Sequence, residues 1–252
     1  MSLKPFSIIT AVYNDNYGLR TTASSIESCS EYIKEWIICD GTPFDIPSYT
    51  PSLKSVNVIY RRCSDNGIYD AWNSALPLVS SEWCLFLGAG DVFYNHSAVM
   101  SVANCLNHLD NTILFVSSKV TYPTTMKHKN PIVVSRNKPT LLFRGCPPHS
   151  ALLTRVQLFK IGHKFDDQLE IISDAEFMIR FPEESFWYTD TILTLMDRSG
   201  KSHQSIFWHK KVSEALYIIR KHQIIPGFRA CLFFLLACCK NYPIFLFTIL
   251  RY

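Results

Sequence analysis

Two aspartates stand where apolar runs stop. The stretch WCLFLGAGDVF, Trp83 to Phe93, is apolar enough for the inside of a sheet, then turns through Gly88-Ala89-Gly90 and presents Asp91. EWIICD ends on Asp40, and FSIITAV runs on into Tyr13 and Asn14. A carboxylate on such a turn offers a hard oxygen to a divalent cation, or an acceptor to a ligand N–H. Asp40-Gly41 is also an ordinary turn pair, and Asp after Gly is a common turn former, so neither residue means much alone. Chemistry would depend on the strand ends being brought together.

The elements that must do this are legible as an alternation. FSIITAV, EWIICD, VNVIYRR and WCLFLGAGD read as strands. GLRTTASSIESCSEYI reads as a helix with Leu19, Ala23, Ile26 and Ile33 on one side, and GIYDAWNSALPLV as a short helix. Strands that are continuous apolar runs, alternating with helices, imply an α/β fold with a mostly parallel sheet covered on both faces. Ligands collect beyond the carboxyl ends of such strands. Thr10 to Asn14, Asp40 and Asp91 are therefore expected to border one crevice. Further on, AVMSVANCLNHLD reads as a helix, TILFVSSKV as a strand, residues 122–145 as an irregular segment or hairpin with PIVVS as a candidate edge strand, and HSALLTRVQLFKIG as renewed order. SDAEFMIRF reads as a short helix with Ser173 as its N-cap, and FWYTDTILTLMD as the last strand.

Composition narrows the class. With 252 residues, 48% of them hydrophobic and 18% charged, the chain can bury one large core. Its nine cysteines form no CxxC pair, which excludes a zinc ribbon and points to a reducing compartment. The N-terminus MSLKPFSIITAVYND lacks the features of an export signal, and a cytoplasmic location is expected. Charge is uneven: from Arg198 onward nine Lys and Arg face one acid, Glu214, so that end carries +8 and the remainder −4 of the net +4.

Taken in order, FSIITAVYN, EWIICDG, SDNGIYDAWNSAL and WCLFLGAGDVF resemble the nucleotide-sugar glycosyltransferases of family 2, which have the GT-A fold. The resemblance spans roughly residues 5 to 200. It implies that Thr10, Val12 and Tyr13 border the nucleotide, that Asp40 accepts a hydrogen bond from its base, uracil by preference, and that Asn66, Gly67, Asp70 and Asn73 border it from the other side. It implies Asp91 as ligand of a Mn²⁺ or Mg²⁺ cofactor bridging the diphosphate. Asp174, in EIISDAEFMIR, matches the acidic position that acts as catalytic base in inverting transfer. His149 would touch the acceptor or the diphosphate, and Lys201, in DRSGKS, would close over the phosphates. The sequence departs from the family in two places. Gly88, Ala89 and Gly90 replace the earlier carboxylates of a D-x-D turn, and Trp72 stands where many relatives carry Arg. Blander roles compete: Ser173 and Glu176 have capping-box spacing, a lone histidine is usually a structural donor, and DRSGKS suits a solvated linker.

Residues 1–200 are thus expected to form the transferase domain and residues 201–252 a basic and apolar helical region. IFWHKKVSEALYIIRKH has the pattern of a basic amphipathic helix, and the apolar run from Ala230 to Cys239 is too short to span a bilayer. Both fit docking on a membrane surface, peripherally on its inner face, or packing on the domain itself or across a dimer. The expected partners are a nucleotide diphosphate sugar, a saccharide or lipid-linked acceptor and the membrane surface, with no nucleic acid. A nucleotidyltransferase is disfavoured because TAVYNDNYG is not its Gly-rich loop. A degenerate transferase serving as a membrane-associated assembly subunit is the non-enzyme alternative, and the missing D-x-D its best support.

Overall fold

A computed structural model describes residues 5–63, 66–122, 146–197 and 208–224. Strands β1 (Phe6–Val12), β2 (Ile33–Asp40), β3 (Asn57–Arg62), β4 (Trp83–Phe86), β5 (Val92–Phe93), β6 (Phe115–Thr121), β7 (Leu152–Arg155) and β8 (Phe186–Leu195) form one sheet, ordered β3-β2-β1-β4-β7-β6-β8-β5. The first four in that order are mutually parallel. β7 runs antiparallel to both its neighbours, β6 and β8 pair in parallel, and β5 closes the far edge antiparallel to β8. The helices are α1 (Asn16–Glu27), α2 (Ile68–Ala75), α3 (His96–Leu106), α4 (Gln157–Lys160), α5 (Ser173–Ile179) and α6 (Trp208–Lys221).

The continuous apolar runs follow from burial on both faces. Successive side chains of a strand point to opposite sides. Phe6, Ile8, Trp36, Ile38, Trp83 and Leu85 therefore join α1 and α3 in one core, while Ile9, Ile37, Cys39, Cys84 and Phe86 join α2 in a second. Each fully buried Ile, Leu or Phe contributes roughly 1.5–3 kcal/mol, so the strand ends are held by a rigid frame. A third core joins α5 to α6 through Leu169, Ile171, Ile172, Ala175, Ile179, Ala215 and Ile218.

β5 follows β4 after only Leu87–Asp91, yet lies four positions away in the sheet. Four strand spacings in a flat sheet come to about 19 Å. Five residues bent by the Asp91 N to Gly88 O hydrogen bond cannot reach that far, so the sheet curls until β5 meets β8.

Three expectations need correction. The first helix stops at Glu27, because Ile33 pairs with Phe6 in the sheet; its spacing of seven from Ile26 mimics a helical stripe. Ser173 is not the N-cap of α5: that position is Ile172, and the buried Ser173 hydroxyl makes no hydrogen bond among the described residues. The capping box is also absent, since the Glu176 carboxylate is bound to Arg180 instead. PIVVS lies outside the described residues.

Candidate functional site

The turn after β4 is built from three directions. The buried Thr10 hydroxyl donates to Leu87 O at 2.8 Å and accepts from Trp36 Nε1 at 2.9 Å. From α1, Thr22 Oγ1 accepts from Gly90 N at 3.0 Å and donates to Asp91 O at 2.9 Å. Gly90 has φ +92°, and a side chain on Gly18 would put Cβ 2.9 Å from Gly90 N. The glycines thus let α1 and the turn touch backbone to backbone.

Asp91, 3% exposed, is held by two backbone amides: Oδ1 accepts from Asp197 N at 2.7 Å and Oδ2 from Gly88 N at 3.3 Å. Burial raises its carboxyl to about 6, against the charge of His149 and these two amides, and the like charge of Asp197 adds to the rise. Asp197 follows β8 and lies over the turn, its Oδ2 3.1 Å from where a Gly90 Cβ would stand. Sequence reasoning missed it; its signal was the one that marked Asp40 and Asp91, a carboxylate just past a strand.

His149, in a one-turn helix before β7, interacts with both acidic groups. Its charge acts on Asp91, and its Nδ1 is 4.0 Å from Asp174 Oδ2. Trp72 packs on the imidazole at 5.2 Å and on Phe86 at 4.6 Å between ring centres, an aromatic wall beside His149. Asp174 Oδ1 accepts from Ala175 N at 2.8 Å and from the Tyr69 hydroxyl at 3.2 Å. The Cys146 thiol, 3.6 Å from Oδ2, donates to it. Burial, with the Asp174 charge added, pushes both Tyr69 and Cys146 well above their ordinary values, so both stay protonated as donors. Oδ2 is the oxygen turned toward His149. Tyr69 was not legible as a site residue, because its position on α2 reads only as core.

The nucleotide side is less simple than the sequence suggests. Thr10 is fully buried, and its hydroxyl, bonded within the core, sets the turn. Asn73, half-buried, clamps Phe165 with its amide, Nδ2 donating to Phe165 O at 2.9 Å and Oδ1 accepting from Phe165 N at 3.0 Å. Asp40 is 2% exposed; Oδ1 accepts from Thr42 N at 2.8 Å, and Oδ2 from the Tyr60 hydroxyl at 2.5 Å, with Arg62 at 3.7 Å. Burial works to raise its carboxyl, but the Thr42 and Tyr60 hydrogen bonds outweigh it and hold Asp40 below the ordinary range. Val12 is buried, and its carbonyl accepts from Gly41 N at 2.9 Å, joining the ends of β1 and β2. Tyr13 is 55% exposed beside them. Asn66 and Gly67 are exposed, Gly67 with φ +101° and open space where a Cβ would stand. Asp70 is half-buried in the first turn of α2. Lys201 lies outside the described residues.

Among the described residues no three His, Cys, Asp or Glu side chains gather closely enough to hold a metal by themselves. The donor chemistry still suits one. Asp91 and Asp197 set two carboxylates at one turn, and Mg²⁺-type ions commonly bind through one or two carboxylates plus substrate phosphates.

No family model matches the chain. Curated relatives from Mycobacterium tuberculosis and Mycobacterium bovis, named PGL/p-HBAD biosynthesis glycosyltransferase, are 27% identical over 187 residues, covering 71% of this chain and 70% of theirs. Among solved structures, TarS of S. aureus in complex with UDP-GlcNAc superposes with a TM-score of 0.62 at 16% identity, over 85% of this chain and 66% of that one. The chain thus spans just under two thirds of the TarS chain. A mannosyltransferase from Pyrobaculum calidifontis in complex with GDP-Man and Mn²⁺ gives 0.59 at 12% identity, over 86% of this chain and 63% of that one. Glucosyl-3-phosphoglycerate synthase of Mycobacterium tuberculosis, with Mn²⁺, UDP and glucosyl-3-phosphoglycerate, gives 0.55 at 12%, over 85% and 79%. The sheet order and these likenesses agree on the GT-A fold, and with the curated relatives they make this chain an enzyme, a glycosyltransferase.

Proposed function

We propose that the chain is an inverting glycosyltransferase of family 2 type, taking a sugar from a nucleotide diphosphate donor, uridine-linked by preference, to a saccharide or lipid-linked acceptor. The observation that carries this reading is that one imidazole serves two acidic groups from distant parts of the chain: His149 Nδ1 is 4.0 Å from Asp174 Oδ2, and its charge reaches Asp91. Asp174 Oδ2 takes the proton of the acceptor hydroxyl. The acceptor oxygen then forms its bond to the anomeric carbon as the carbon–oxygen bond to the diphosphate breaks, and the electron pair leaves with the phosphate. Tyr69 and Cys146 orient the carboxylate from behind. When bound, a divalent cation, Mn²⁺ or Mg²⁺, held by Asp91 and Asp197, would neutralise the departing diphosphate. Tyr13, the open backbone at Gly67 and the residues after β2 border the nucleotide.

The acceptor is placed at a membrane surface, peripherally on the cytoplasmic side, on the strength of the basic and apolar sequence beyond Ile224. No helix among the described residues is long and apolar enough to cross a membrane. The buried stripe of α6 packs on α5 and the segment before it, so any membrane contact falls to its outer face, where Leu216 and Tyr217 are exposed beside its basic residues, and to residues 225–252, outside the described set.

Thermal unfolding with Mn²⁺ and UDP, GDP or TDP tests the donor side. A Mn²⁺-dependent rise in Tm with UDP, lost in Asp91→Ala, is expected. No response to any nucleotide in the unaltered protein would favour a non-catalytic assembly subunit. Transfer from labelled nucleotide sugars to membrane lipid extracts tests the base: Asp174→Asn should lower turnover by about 10²–10⁴-fold while the UDP and Mn²⁺ response survives.

A further inference from the structure

The helix beyond the last strand holds the segment that carries Asp174 on both sides of it. Upstream, Glu214 of α6, 4% exposed, accepts three consecutive backbone amides: Glu170 N at 2.8 Å, Ile171 N at 3.0 Å and Ile172 N at 3.1 Å. Downstream, Glu176 is 0% exposed and takes Lys221 at 3.0 Å and His222 at 2.7 Å from the end of α6, beside Arg180 of its own helix. Lys221 also reaches Asp166 at 2.8 Å. Between these two anchors stand Ser173, Asp174 and Ala175.

We propose that Glu214 is a positioning residue for transfer: by fixing the peptide groups of residues 170–172 it sets where the Asp174 carboxylate meets the acceptor. This rests on the reading of Asp174 as base. A run of three backbone N–H groups without a partner, in a segment walled by Leu169, Ile171 and Ile172, is costly to leave unpaired. A single carboxylate from a helix distant in the chain satisfies all three. The same peptide run supplies Ile171 O, on which the Tyr69 hydroxyl closes at 3.0 Å while also reaching Asp174 Oδ1. Glu214 therefore acts on Asp174 along two routes, the chain itself and the shared tyrosine. Both Glu214 oxygens are taken up by these amides, so its effect on Asp174 is through geometry. A base misplaced by about 1 Å costs on the order of 10²-fold in rate.

The test compares Glu214→Gln, which keeps one acceptor oxygen, with Glu214→Ala and Asp174→Asn in the full chain. Turnover is followed with UDP-glucose, UDP-galactose, UDP-N-acetylglucosamine and GDP-mannose against lipid extract, and crystal structures are determined for each variant. Glu214→Gln is expected to lower kcat by about ten- to a hundredfold with donor KM and the UDP and Mn²⁺ Tm response unchanged. Glu214→Ala should displace Asp174 from the Tyr69 hydroxyl. If Asp174→Asn abolishes transfer but Glu214→Gln keeps full kcat, the positioning role is overturned and the base stands. If Asp174→Asn transfers normally, the base reading falls first. Should none of the four donors turn over, the crystal structure decides: an unmoved Asp174 in Glu214→Ala overturns the proposal.

Discussion

Asp91 illustrates how a residue is made useful by an unfavourable setting. Its carboxyl sits at about 6 rather than 3.8 because burial disfavours the charged form. A raised folded-state value means that stability owed to the protonated form is fully present below the unfolded value and is lost as pH rises through about 6, on the order of 3 kcal/mol in all. Urea unfolding should therefore show the unaltered protein losing stability relative to Asp91→Asn between pH 4 and 7. Saturating Mn²⁺ and UDP should flatten or reverse that slope, since a cation favours the charged form. An identical pH dependence in both proteins would show that Asp91 ionises in the fold as it does in water. Thr10 gives the opposite lesson. A polar residue in an apolar strand reads as a ligand contact in the sequence, yet its hydroxyl is the buried partner that Trp36 requires.

At the scale of elements, the contact of α1 with the turn after β4 is close enough to be tested by one carbon atom. In Gly18→Ala the new Cβ would press on Gly90 N at 2.9 Å and on Asp15, which caps α1 by accepting from Gly18 N at 2.7 Å. A loss of about 1–3 kcal/mol in denaturant unfolding is expected, together with a weaker Mn²⁺ and UDP response; an unchanged response would separate α1 from the site. The parallel strands were legible because burial on both faces writes uninterrupted apolar runs, and β1 spans the same residues, Phe6–Val12, in sequence and structure. The meeting of Tyr69, Cys146, His149 and Asp174 was not legible, since the contacts on Asp174 come from 25 to 105 positions away, two of them through a hydroxyl and a thiol that read as core. The amphipathic pattern of α6 was visible too. Periodicity says that a face is covered; it does not say whether lipid or protein covers it.

Over the whole molecule, α6 belongs to the fold through a buried ionic cluster as well as through apolar packing. Burial works to raise the Glu176 carboxyl, but Arg180, His222 and Lys221 outweigh it and hold it below the ordinary range. A depressed value contributes stability above about 4.5 that is lost as pH falls through the folded value. Glu176→Ala at neutral pH takes the shared carboxylate from Arg180 and His222 while Lys221 keeps Asp166, and about 1–3 kcal/mol of stability should go with it, measured by urea unfolding; no change at all would mean that the cluster is solvated. The curl of the sheet has a further implication, for inheritance. Since Leu87–Asp91 connects strands that the curl brings together, one residue more or fewer would slide β5 along β8 and turn Phe93 out of its core. Related chains aligned on this turn should therefore differ in which residues occupy it far more than in how many there are.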